Sequence, residues 1–198
     1  MSSQNKIEGF HLSPQQRYLW SLQQAANSGT YQVTSTVLIN GDLRAEILQR
    51  ALTEVVKRHE ILRTTFQRPP GIKTPFQVIS EAPHFSWHLS DLTNVDQERL
   101  QNTLENSFAA ERSKPFDLER GPMLRASLNR LSAEHHMLQI SLPAVCCDSA
   151  TVMNLIIELG RAYALILDGG AFPEEPLQYA DFAEWHNELL QSSDEHAE

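Results

Sequence analysis

Cysteine is scarce in this chain. Of 198 residues only Cys146 and Cys147 carry thiols, and they are neighbours. Adjacent cysteines rarely reach disulfide geometry, which argues against a disulfide-stapled secreted scaffold and for a reducing, cytoplasmic setting. Long apolar runs are lacking too, since no stretch reaches the roughly 18 residues of a membrane span. Residues 1–9 are polar and have no apolar centre of a secretory signal. Positive charge is short, with 16 Lys and Arg against 25 Asp and Glu, a formal net charge of −9. That balance speaks against nucleic acid or an anionic membrane as a partner. Part of the acidic excess sits at Glu174-Glu175 and in residues 194–198, where a solvated segment explains it. The chain also lacks a phosphate loop, a Gly-rich dinucleotide fingerprint and a Gly-x-Ser-x-Gly elbow. No ligands appear at zinc spacing, so no metal is expected.

What is present describes one domain with a real core, at 41% hydrophobic residues and without internal repeats. Ser13-Pro14-Gln15-Gln16 has the grammar of a capped helix start, predicting Tyr18, Leu19 and Leu22 on its buried side. Residues 31–40 read as a strand, followed by a helix that Asp42 caps and whose stripe is Leu43, Ile47, Ala51 and Val55. Residues 61–67, 76–79 and 85–89 read as strands. A helix starting near Asn94 carries Leu100, Leu104 and Phe108 as its apolar line. Residues 123–131 and 135–142 are expected to pair as a hairpin, and a helix over 152–167 to pack Leu155, Ile156, Leu159 and Tyr163 on the sheet. A last helix covers 179–191, with Trp185 holding it to the body. Strands alternating with helices give an α/β or α+β class.

Four segments carry a more specific signal. Leu12-Ser13-Pro14-Gln15-Gln16-Arg17-Tyr18-Leu19-Trp20-Ser21-Leu22, Arg58-His59-Glu60-Ile61-Leu62-Arg63-Thr64-Thr65-Phe66, Lys114-Pro115-Phe116-Asp117-Leu118-Glu119-Arg120-Gly121-Pro122-Met123-Leu124-Arg125-Ala126 and Tyr179-Ala180-Asp181-Phe182-Ala183-Glu184-Trp185 resemble, in order, core motifs of the condensation domains of nonribosomal peptide synthetases. The resemblance spans roughly residues 11–190. It implies a single chloramphenicol-acetyltransferase-like lobe, a mixed β-sheet flanked by helices. It divides the chain into a polar tail (1–10), a condensation-like N-terminal lobe (11–191) and an acidic tail (192–198). The family's full domain has two such lobes facing each other across a substrate tunnel, so one lobe out of two is expected here.

The family's His-His-x-x-x-Asp-Gly motif falls on Pro143-Ala144-Val145-Cys146-Cys147-Asp148-Ser149. Asp148 matches the motif Asp, Ser149 replaces the Gly, and Pro143 and Ala144 stand in place of the histidines. Histidine suits management of the acceptor amine's proton because its pKa lies near neutrality; alanine has no proton to exchange. No catalytic residue is therefore assigned. Cys146 and Cys147 are secondary candidates for a nucleophile, which would need a nearby base or positive field. By resemblance Asp148 is a structural ion-pair partner, and Arg63 is its matching residue. His135-His136, the only His pair, lies too early in its strand and lacks a following Asp-Gly, so it reads as structural. His59 is expected to meet the carbonyls at a helix end.

The expected function is an interaction module: a truncated, noncatalytic condensation-like lobe of a nonribosomal peptide or hybrid polyketide-peptide synthetase. It would dock adenylation and carrier domains of the same synthetase, or self-associate as a homodimer through its open face. No cofactor is expected to bind directly, since the phosphopantetheine arm would come from a partner carrier protein. The alternative is the N-terminal half of an acyl-transferring enzyme that works on carrier-bound thioesters with replaced active-site chemistry. A spacer without a specific partner ranks last.

Overall fold

A computed structural model of the chain describes residues 9–26 and 31–195. Most of the two expected tails, 1–8 and 196–198, lies outside the described residues. Helix α1 (Pro14–Ala26) begins as its sequence dictates. The Ser13 N–H donates to Gln16 Oε1 at 3.0 Å, and the Gln16 N–H donates to Ser13 Oγ at 3.2 Å, a reciprocal capping box. The buried side differs from the expected one. Gln16 and Trp20 are buried, Leu19 and Leu22 are half-buried, and Tyr18 is 66% exposed. Trp20 wins because it joins Leu12, Phe66, Phe116, Leu118, Met123, Val145 and Cys146 in an apolar cluster, with its ring 6.3 Å from Phe66. The larger indole buries more area than Tyr18 and needs no partner for a hydroxyl.

The main sheet has four strands in the order β1 (Gln32–Asn40), β6 (His135–Pro143), β5 (Arg125–Arg130), β4 (Ser86–Asp91). β5 and β6 form the expected hairpin, β1 runs antiparallel to β6, and β4 runs parallel to β5, which makes the sheet mixed. A second sheet pairs β2 (Thr64–Gln67) with β3 (Phe76–Ile79), and Phe10 bridges to Gln77 at its margin. Phe10 thus belongs to the body rather than to the expected tail.

One face of the main sheet is apolar and carries the principal core. Val33 and Val37, Leu138, Ile140 and Leu142, and Ala126 and Leu128 lie under two helices. Helix α2 (Ala45–Arg58) buries Leu48, Ala51, Leu52, Val55 and Val56; α4 (Ser149–Asp168) buries Val152, Leu155, Leu159 and Ala162. By length and composition alone α4 is apolar enough to cross a membrane. Here its buried stripe covers the sheet, and its Glu158 ties it to α2, accepting from Arg58 Nε at 3.1 Å and lying 2.6 Å from His59 Nε2. His59 therefore meets a carboxylate across the helix pair, a correction to the expected contact with carbonyls of its own helix.

The opposite face is polar. Alternation along the strands places Thr34 and Thr36, Gln139 and Ser141, and Arg125, Ser127 and Asn129 there. It is covered by α3 (Gln97–Ser113), which buries no residue of its own; Leu100, Leu104 and Phe108 are only half-buried. Arg125 anchors this layer. Its guanidinium donates to Glu111 Oε1 at 2.6 Å, to the carbonyls of Lys114 (2.8 Å) and Pro115 (3.1 Å), and to Gln32 Oε1 (3.3 Å), and lies 3.6 Å over the Phe116 ring. The side-chain amide nitrogens of Gln139 and Asn129 are buried with no hydrogen-bond partner among the described residues. Each such donor costs about 1–3 kcal/mol.

Several boundaries moved for local reasons. Residues Glu60–Arg63 form a 3₁₀ turn rather than strand, held by Leu62 N–H to His59 O (3.0 Å) and Glu60 N–H to Gln178 Oε1 (3.0 Å). α2 starts at Ala45 with no side-chain cap, so Asp42 does not serve as one. Asp96, not Asn94, caps α3 through Arg99 N–H at 3.0 Å. Helix α5 (Tyr179–Glu195) continues through residues 192–195, which were expected as tail. α5 is attached by buried Ala180 and Ala183 and by polar bonds, Ser13 Oγ to Tyr179 Oη (2.9 Å) and Arg17 Nη1 to Asn187 Oδ1 (3.0 Å). Trp185 does not hold α5 to the body: it is 57% exposed and touches Phe182 of its own helix, ring centroids 5.9 Å apart.

Candidate functional site at the end of strand β6

The loop from Pro143 to Ser149 joins the C-terminal end of β6 to the N-terminus of α4. Pro143 is buried opposite Gln32 of β1. The Ala144 N–H donates to Tyr31 O at 2.9 Å and the Cys146 N–H donates to Pro143 O at 2.9 Å, which closes a tight turn. From below, Gln16 Nε2 donates to Val145 O (3.3 Å) and to Gln77 Oε1 (3.0 Å). The loop backbone is thus fixed to α1, β1 and β3. Ala144 is half-buried, and its methyl side chain carries no titratable group. Gln16, read from sequence only as a helix cap, is the residue that supports this loop. Nothing in a single sequence signals that second role, because it depends on β3 arriving alongside.

The two thiols face inward. Cys146 joins the cluster around Trp20 and Phe66, whereas Cys147 joins the main core. Burial pushes the Cys146 thiol well above its ordinary value, and burial together with Asp148 raises Cys147 to about 12. The Cys147 S–H donates to Pro143 O at 3.6 Å, and no base stands beside it among the described residues. A protonated, buried thiol is a poor nucleophile. Iodoacetamide at about pH 8 is therefore expected to leave both cysteines unmodified in the folded protein and to label both after unfolding, as read by intact mass.

Asp148 is exposed and caps α4. Its Oδ1 accepts from the Thr151 N–H and from Thr151 Oγ1, both at 2.7 Å, and these bonds hold its carboxyl below the usual range. Arg63 is elsewhere: its guanidinium donates to Ser80 O and, at 3.5 Å, to Glu60 Oε1, with Nε buried and without a partner among the described residues. It lines a cleft of about 490 Å³ with Thr65, Gln67, His84 and Arg120. The expected Arg63–Asp148 ion pair is thus not formed, because each side chain is claimed by neighbours in its own segment. Two results are expected. Asp148→Ala should cost about 1 kcal/mol, the value of a lost cap, and not the roughly 3–5 kcal/mol of a broken buried pair. A double-mutant cycle with Arg63→Ala, read by denaturant unfolding, should show no coupling. Because the Asp148 pKa is depressed on folding, its contribution holds at neutral pH and fades as pH falls below 3.8 through the folded value.

His135 and His136 lie at the opposite end of β6, about 26–30 Å from Ala144 at strand rise. His135 Nδ1 bonds Ser132 Oγ at 2.9 Å. His136 is buried, its Nδ1 has no hydrogen-bond partner among the described residues, and burial first and Arg130 second lower its pKa. Neither reaches the loop. Among the described residues no cluster of three or more His, Cys, Asp or Glu side chains is placed to hold a metal ion.

The family model of the condensation domain matches residues 6–198. The chain belongs to the condensation-domain family. It is 34% identical over 185 residues to chondramide synthase cmdD of Chondromyces crocatus, covering 92% of this chain and 5% of that protein. It is 32% identical over 184 residues to gramicidin S synthase 2 of Aneurinibacillus migulanus, covering 92% of this chain and 4% of that protein. Among solved structures, the starter condensation domain of rhizomide synthetase RzmA has the same fold, with a TM-score of 0.81 at 20% identity over 92% of this chain and 44% of that one. The X-domain solved in complex with OxyB from teicoplanin biosynthesis matches at a TM-score of 0.77 and 28% identity, covering 96% of this chain and 40% of that chain. The condensation-type chain described here therefore spans a small fraction of its curated relatives' length and less than half of these solved chains.

Proposed function

We propose that this condensation-type lobe is a noncatalytic scaffold in a peptide- or polyketide-peptide-assembling synthetase, where it positions adjacent adenylation or carrier domains. The observation that carries the proposal is Ala144. The family's catalytic position holds a methyl group, the thiols beside it stay protonated, and Asp148 is engaged in capping α4. General acid-base help of about 10²–10⁴-fold has no source on this loop. Support for a docking role comes from α5. Its outer side presents Phe182 and Trp185, preceded by Leu177, which is 81% exposed. Apolar groups gathered on a surface favour a protein partner. The likeness to an X-domain that was solved with a bound protein supports the same reading. Any phosphopantetheine arm would arrive on a carrier partner.

The test is calorimetric titration of the chain with the adenylation and carrier domains of its own synthetase, each in turn, and sedimentation of the chain alone. Binding to one of these domains that Trp185→Ser weakens supports docking through α5. A monomer that binds none of them contradicts it, and a homodimer disrupted by Trp185→Ser assigns that surface to a second copy instead.

A further inference from the structure

Helix α4 is apolar on its outer side as well as on the side that covers the sheet. Ala150, Met153, Ile157, Gly160, Ala164 and Leu167 are all exposed, Met153 at 58%, Ile157 at 46% and Leu167 at 47%. Their spacing alternates three and four residues along almost the whole helix, the repeat by which one helix packs along another. Charge stands aside from this stripe. Glu158 is turned to Arg58 and His59, and Arg161 and Asp168 lie on one flank. The sizes along the stripe are ordered. Laid antiparallel against a copy of itself, every large residue meets a small one: Leu167 faces Ala150, Met153 faces Ala164 and Ile157 faces Gly160. A parallel pairing would set Ile157 on Ile157 and Gly160 on Gly160, which alternates crowding with gaps. Space exists for the central pair. Nothing lies within 4 Å of where a Cβ on Gly160 would stand. Gly160 also borders an apolar cleft of about 300 Å³, lined in part by Val37, Ile39, Leu43, Ile156 and Tyr163. One surface thus carries both a knob, Ile157, and a hollow at Gly160.

We propose that the outer face of α4 is a self-association surface, on which a second copy of this chain docks antiparallel about a two-fold axis. Ile157 of each copy packs over Gly160 of the other at the mouth of the cleft, and symmetry makes the two contacts equivalent. A helix of 20 residues is about 30 Å long. A strip of that length is at the small end of interface sizes, so the dimer has a Kd on the order of 10 μM. The surface shares no residue with the apolar side of α5 and does not depend on the scaffold reading.

Sedimentation equilibrium of the full chain from roughly 1 to 300 μM is expected to show a monomer–dimer equilibrium. Gly160→Leu fills the hollow and should weaken the dimer about a hundredfold or more, because each clash occurs twice. The same substitution should raise the melting temperature of the monomer, since a helical glycine with open space around it gives way to a better helix former. Trp185→Ser should leave the dimer intact. Disulfide trapping reads the orientation. Oxidising an equal mixture of Met153→Cys and Ala164→Cys chains should link the two variants to each other, and either variant alone should give little dimer; the native thiols are buried. A chain that stays monomeric throughout that range, a dimer that Gly160→Leu leaves unchanged, or efficient linking of Met153→Cys to itself each overturns the proposal.

Discussion

Replacing Phe66 by alanine is expected to destabilise the protein by about 3–5 kcal/mol, the range for a truncated buried aromatic. Phe66 is fully buried at the start of the smaller sheet and stacks near Trp20. Its cluster joins elements that share few other apolar contacts: α1 through Leu12 and Trp20, the segment before β5 through Phe116, Leu118 and Met123, and the loop after β6 through Val145 and Cys146. The Phe66 N–H also bonds Leu118 O at 2.8 Å. A cavity here loosens the support of the Pro143–Ser149 loop as well as lowering stability. Urea unfolding measures the first effect, and faster alkylation of Cys146 in the native state measures the second. A loss below about 1 kcal/mol, the ordinary cost of a substitution, would mean that the cluster does not hold these elements together.

Arg125→Ala carries the second large effect, about 3 kcal/mol or more. It removes the counter-charge of Glu111, leaves the Lys114 and Pro115 carbonyls without their donor, and strips the Phe116 ring of its cation. Breaking one side of a mostly buried pair typically costs about 3–5 kcal/mol. Glu111 keeps some access to water, which places the expected value at the lower end. The charge-keeping Arg125→Lys should recover only part, because an ammonium cannot reproduce the forked donor set. Full recovery in Arg125→Lys would reduce the role of Arg125 to charge alone.

Local chemistry was the legible part of this chain. The Ser13–Gln16 capping box and the β5–β6 hairpin follow from spacing over a few residues, and the structure contains both. The helix stripes hold in part: Ala51, Val55, Leu155 and Leu159 are buried as expected, but Leu43 precedes α2, Ile47, Ile156 and Tyr163 are half-buried, and Leu48, Leu52 and Val56 complete the buried side of α2 instead. The family followed from ordered motifs rather than from physics. What stayed hidden depends on partners distant in sequence. Whether Tyr18 or Trp20 faces inward is decided by Phe66 and Phe116, and the Arg63–Asp148 pairing fails because Ser80 and Thr151 reach the two side chains first. Trp185 reads as a core anchor by composition, yet its helix is held by Ala183 and Asn187. The unpartnered amide of Gln139 was invisible for the same reason, since it exists only once the sheet face and the helix are placed together.

If the proposed scaffold role holds, the loop after β6 carries no condensation chemistry. The decisive measurement takes the native polypeptide that contains this segment, loads the carrier domains expected beside it with distinct acyl groups and follows them by intact mass. The upstream acyl group is expected to stay on its carrier, and Cys146→Ala with Cys147→Ala to change nothing. Transfer to the downstream carrier that is lost on substituting Asp148, Cys146 or Cys147 would contradict that role, and would make the altered motif an active site of a different kind.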